Sequence, residues 1–194
     1  MTRRKYYLDS KIVQVLAYLV VKLEGVDLTM LPLLKLIYFA DRYHLRKYGR
    51  FVTGDDYFAM QKGPVASESK SVIEDIERGE GIGASVLGIK RKASVKHRPF
   101  ALMREITLDE LSESDIEALD VVIEKYGRVP PGRLSFIAHQ FPEWINAKRF
   151  LSSTTRCHQM CIWDFFLNPK QRKYEYCEVP DSHVQLSKKI LMSA

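Results

Sequence analysis

Cysteine is scarce in this sequence: only Cys157, Cys161 and Cys177 occur, all in the last quarter of 194 residues. The count is odd, and the chain is long enough to bury a core without covalent staples. Both facts argue against a disulfide framework and fit a reducing compartment. No window approaches the roughly 18 consecutive apolar residues that a membrane span needs. Met1-Thr2-Arg3-Arg4-Lys5 is followed by Asp9 and Lys11 rather than by an apolar stretch, so the expected location is cytoplasmic, with no membrane partner. Also missing are a glycine loop ending in Gly-Lys-Ser/Thr, which would cradle phosphates, and a nucleophile elbow, which would expose a catalytic serine. The chain is therefore expected to bind rather than catalyse, and to need no cofactor.

What the chain has in excess is positive charge, formally +6 with a pI near 9.2. Such a surface attracts phosphate backbones, anionic lipids or acidic proteins, and net charge alone does not choose among them. Basic residues gather from Arg42 to Arg50, and again in Lys90-Arg91-Lys92 and Lys96-His97-Arg98. Solvated helix faces and hairpin tips have the same look. A nucleic-acid-binding regulator is therefore the second functional reading, behind protein recognition.

Periodicity places the elements. Ile12, Val15, Leu16, Leu19, Val20 and Leu23 recur at three- and four-residue steps, which predicts a first helix stopped near Gly25. A second runs from Thr29, a capping residue, to Gly49 and is expected to pair with the first as a hairpin. Thr53-Gly54-Asp55-Asp56 reads as a turn and Tyr57 to Met60 as a short strand, with Pro64 expected at the head of the next helix. Segments Ser85 to Ile89 and Phe100 to Met103 read as a hairpin flanking the second basic run. Ser112 with Asp115 opens a helix in a variant of the capping box, and a further helix covers roughly Arg133 to His139. Beyond Phe150 the pattern weakens to one apolar patch, Ile162 to Phe166. The fold class expected is α+β, mainly α-helical: a helical bundle with a small antiparallel β element.

Four groups could carry chemistry. Asp41 and His44, three apart on the second helix, could face one metal or act as an acid–base couple. A metal needs three or more convergent ligands, however, so a buried carboxylate tied to Arg42, a tyrosine or backbone donors is favoured. The Thr53–Tyr57 turn and Gly63-Pro64 are explained by backbone geometry, with Tyr57 and Phe58 left for protein recognition. Cys157, His158, Cys161, Cys177 and His183 have irregular spacing for zinc and read as free thiols and surface histidines. Ser135 and His139 share a helix face near Trp144, but no orienting acid or oxyanion donor accompanies them.

Three blocks, taken in order, carry a resemblance. Leu36-Ile37-Tyr38-Phe39-Ala40-Asp41-Arg42-Tyr43-His44-Leu45 with Gly49, then Thr53-Gly54-Asp55-Asp56-Tyr57, then Lys62-Gly63-Pro64-Val65 resemble the Panacea, or SocA-like, antitoxin family, some of whose relatives are phage-associated. Leu134 through His139 to Pro142-Glu143-Trp144 is similar to that family's closing helix and corner. The resemblance implies a domain over residues 1–150, with 151–194 as a C-terminal extension packed on it. It implies neutralisation of a cognate protein toxin by direct contact, or delivery of a bound toxin to a protease. It marks Tyr38, Asp41, Arg42, Gly54, Asp55, Tyr57, Gly63, Pro64, His139 and Trp144 as motif core. Residues expected to meet a partner are Tyr57, Phe58, Arg42, Arg46, Arg50, Trp163 and Phe165.

Overall fold

The computed structural model describes residues 3–89, 99–170 and 176–193. The basic run from Lys90 to Arg98 lies outside the described residues. Seven α-helices appear among the described residues: α1 (Arg3–Lys22), α2 (Met30–Tyr48), α3 (Ser67–Arg78), α4 (Glu113–Tyr126), α5 (Pro131–Ala138), α6 (Pro142–Ala147) and α7 (Asp181–Ser193). They accompany five short strands, β1 (Tyr57–Met60), β2 (Gly63–Ala66), β3 (Leu87–Ile89), β4 (Phe100–Leu102) and β5 (Cys157–Gln159). The class is α+β and mainly helical, as the periodicity implied.

Everything is arranged around α2. From Pro32 to Arg46 every residue except Tyr43 is buried, which is unusual for a helix with this many polar residues. α4 is its main neighbour, with α7, β2 and α5 covering other sides, and α1 touches it less. The expected α1–α2 hairpin is thus corrected. The apolar stripe of α1 is spent on α3, β4 and the tight turn Ile82–Ser85, while α2 must be enclosed on all sides and cannot commit to its sequence neighbour.

Local chemistry explains the ends. Gly49 adopts a left-handed conformation (φ 79°), and its N–H donates to Leu45 O, closing α2. Thr29 occupies the N-cap position, although its hydroxyl makes no capping bond. At α4 both halves of the capping box form: Ser112 Oγ accepts from the Asp115 amide and Asp115 accepts from the Ser112 amide. Pro64 does not head a helix; it lies in β2, and α3 starts at Ser67, because the Gly63 turn (φ 105°) folds the chain back onto β1 first.

One three-stranded antiparallel sheet has the order β2-β1-β5, with Phe58 opposite both Val65 and Gln159. A second, two-stranded sheet pairs β3 with β4, the expected hairpin. Helix α7 and strand β5 were not legible: β5 has only three residues, and α7 exposes Leu186 and Ile190 while burying Val184 and Ser187, so its apolar pattern points two ways.

Gly127 ends α4 in ordinary helical geometry, so it is there for space. A Cβ at that position would lie 2.4 Å from Leu23 Cδ2 and 2.6 Å from Ile123 O. Gly127→Ala is expected to cost about 1–3 kcal/mol by overpacking. Gly132→Ala, inside α5 with nothing within 4 Å, should instead stabilise by about 0.5–1 kcal/mol. Paired denaturant titrations check both.

Candidate functional site

The polar residues of α2 point inward, and each reaches a different segment. Asp41 is fully buried. Its carboxylate accepts from the Thr53 amide at 3.0 Å, from the Thr53 hydroxyl, and from Tyr57 Oη at 2.8 Å. Burial raises its pKa to about 6 against these donors. Gly54 (φ 69°) turns the chain, and Asp55 then accepts from the amides of Glu68 at 2.9 Å and Ser69 at 2.7 Å. Asp55 therefore caps the first turn of α3 from outside that helix, where its charge also suits the positive end of the dipole. The turn has two grips, one on α2 and one on α3.

Tyr38 Oη and Arg42 Nε both donate to Glu143 Oε1, each at 2.7 Å. Arg42 also donates to Leu167 O at 2.9 Å, and its guanidinium lies 4.2 Å from the centre of the Phe141 ring. Glu143, with no exposed surface, thus ties α2 to α6 at the family's closing corner. Arg42 pairs with Glu143 and not with Asp41. Nothing in the residues around Glu143 announces partners about a hundred positions away on α2.

Lys35 is also wholly buried, and its Nζ donates to Pro64 O at 2.5 Å. Burial pulls its pKa down to about 7. His139 stacks on Trp144 with ring centres 3.9 Å apart, and Trp144 Nε1 donates to Met60 O at 3.1 Å. Burial, helped by the Lys35 charge, lowers His139 to about 4. A Cβ on Gly63 would come 2.9 Å from Lys35 Nζ and 3.2 Å from His139 Nε2, so position 63 needs glycine for space as well as for its positive φ. This is the physical content of Gly63-Pro64.

His44 belongs to a separate network. Its Nδ1 is 2.8 Å from Arg50 O and its Nε2 is 3.0 Å from Ser114 Oγ. Burial drops its pKa to about 4, so the neutral ring donates from Nδ1 to the carbonyl. Nearby Asp115 is buried, which pushes its pKa up. Lys11 at 2.8 Å, the Ser112 amide and Arg50 at 2.9 Å outweigh that and bring it to about 2. Asp41 and His44 therefore do not converge on one ligand. Nor does a hydrogen bond link Ser135 Oγ to His139. Among the described residues no group of three or more His, Cys, Asp or Glu could hold a metal ion.

The residues expected to meet a partner divide. Tyr57, Arg42, Arg46 and Phe165 are interior, a correction with a plain cause. Tyr57 is bound to Asp41, and Arg42 to Glu143. Arg46 donates to Phe165 O at 3.0 Å and to Asn168 Oδ1 at 2.6 Å, and Phe165 packs edge-on against Tyr38 and Phe51. Arg50 and Trp163 are exposed and Phe58 is half-buried. A cleft of about 240 Å³ opens beside Arg42, Arg46, Asn168 and Tyr176–Asp181, with Glu178 and Asp181 among its walls. Chemically the network holds segments together, and among the described residues Glu143 Oε2 and His139 Nε2 are buried without a hydrogen-bond partner.

The family model described as "Antitoxin SocA-like, Panacea domain" matches residues 33–145, which contain nearly all of this network. No curated protein and no solved structure matches the chain. No helix among the described residues is long and apolar enough to cross a membrane.

Glu143→Ala, which strands the buried Arg42 guanidinium and the Tyr38 hydroxyl, is expected to cost about 3–5 kcal/mol, and Glu143→Gln less; urea unfolding measures both. Lys35 generates a pH dependence. Its folded pKa, about 7, lies below its ordinary 10.5, so the unfolded chain binds more protons between these values and stability rises with pH. Unfolding free energy should climb from pH 7 to pH 9, and Lys35→Met should flatten the climb.

Proposed function

The chain belongs to the SocA-like, Panacea antitoxin-domain family, and from that membership we propose that it neutralises a cognate protein toxin by binding it directly. The carrying observation is the family match across residues 33–145. The geometry supports a masking role over a catalytic one, because Tyr38, Asp41, Arg42, Asp55 and Tyr57 of the motif are spent on tying segments of the fold together. What remains for a partner is the periphery, where Phe58, Arg50 and Trp163 are joined by Phe150, 60% exposed. Durable silencing requires an interface on the order of 1,200–2,000 Å², with a few aromatic or arginine anchors supplying most of the energy.

Delivery of the bound toxin to a protease is a finer version of the same reading and uses the same docking step. The nucleic-acid reading loses two of its residues: Arg42 and Arg46 are interior, where a phosphate backbone does not reach them. Lys47 is paired with Glu117.

Co-expression with the toxin encoded in the adjacent gene should restore growth, and the two proteins should co-purify as a defined complex. Failure of both rescue and co-purification removes the antitoxin reading. Trp163→Ala should leave the unfolding transition in place and weaken the complex, measured by calorimetry on the purified pair.

A further inference from the structure

Among the described residues no strand pairs with the outer edge of β5. On β1 the backbone groups alternate: Ser67 N donates to Asp56 O on the β2 side, and Met160 N donates to Tyr57 O on the β5 side. Continued through the registers, this alternation turns the amide and carbonyl of His158 toward Ala59. It turns those of Cys157 and Gln159 away from β1, and both residues are exposed. Among the described residues no hydrogen bond reaches those outward groups. A strand edge in this state is a template for another chain.

Both faces of the edge are furnished. On one face Phe58 stands opposite Val65 and Gln159, so the three form a cross-strand row that ends at the open edge. On the other face the Phe150 ring stacks on His158, with centres 4.3 Å apart, and is itself 60% exposed. An added strand would continue the row beyond Gln159 with one set of alternate side chains and meet Phe150 with the other.

Charge selects the occupant. The segments that build this surface, residues 57–66 and 144–163, carry Lys62, Lys148, Arg149 and Arg156 and no aspartate or glutamate. All four cations are exposed. A second copy of this chain would bring the same cations edge to edge and be repelled, whereas an acidic segment is drawn in.

We propose that the outer edge of β5 receives an acidic, extended segment of the toxin as a fourth strand of the sheet. The identity of that partner rests on the antitoxin reading, and the strand geometry is the new element. Backbone bonds to Cys157 and Gln159 give affinity, while Phe58, Phe150 and the surrounding cations set which segment fits.

The test uses the full chain and its adjacent-gene toxin. Proline at position 159 deletes an outward amide that makes no bond to β1, so Gln159→Pro should keep the wild-type unfolding midpoint and weaken toxin binding about tenfold or more. Gln159→Ala, which keeps the amide, should bind like wild type. Independently of any variant, exchange of the Cys157 and Gln159 amides should slow at least tenfold in the wild-type complex. Arg156→Glu should slow association at low salt, and the difference should vanish at high salt. Unchanged amide exchange in a complex that does form overturns strand addition while leaving the antitoxin reading intact. A wild-type pair that never associates removes both. A dimer of the chain alone that Gln159→Pro abolishes assigns the edge to self-association and overturns the acidic-partner proposal.

Discussion

A carboxylate with no access to water, Glu143, accepts from Tyr38 and Arg42 of one helix and so decides where the corner at residues 141–144 must sit. A charged group in that setting is tolerated only when its partners are in place, and losing one partner exposes the full desolvation penalty. The same constraint acts along the whole of α2. Asp41 demands Thr53 and Tyr57, and Lys35 demands the Pro64 carbonyl. Arg46 demands the carbonyls and amide oxygen of residues 165–168. The helix works as a set of polar pegs, and the rest of the chain is arranged to fit them.

This gives the motif blocks a mechanical meaning. Thr53-Gly54-Asp55 joins α2 to the start of α3, and Gly63-Pro64 fits the backbone against Lys35 and His139 with no room for a Cβ. Domains that share these blocks share a frame, and the frame leaves the surface free to differ. In this chain the open strand, the Phe150–His158 stack, Lys148, Arg149 and Arg156 lie outside the three motif blocks. A change on that surface need not disturb any of the buried pairs.

The fold class, the limits of α2, the β3–β4 hairpin and the capping of α4 were legible because each is written in neighbouring residues: a glycine that closes a helix, a serine that caps one, a spacing of three and four. The orientation of α2 was not. A polar residue at helical spacing reads as solvent-facing, and Arg42 and Arg46 were assigned to a surface for that reason. Only their partners, at positions 143 and 165–168, turn them inward, and a separation of a hundred residues leaves no local trace. For Asp41 the reading stopped halfway: tyrosine and backbone donors were anticipated, but Arg42, its neighbour in sequence, goes to another carboxylate. Helix α7 escaped because its apolar residues serve two faces, and β5 because three residues are too few to show alternation.

The reach of α2 also dictates when this protein can become itself. The helix is synthesised well before its counter-ion at residue 143, its oxygen acceptors at 165–168 and its α7 cover at 181–193. At cellular elongation rates that interval is on the order of ten seconds. During it Arg42 and Arg46 of α2 are without the groups that pair with them in the folded protein. Arg46 has no acceptors until residues 165–168 have been made, so closure over α2 comes late in synthesis.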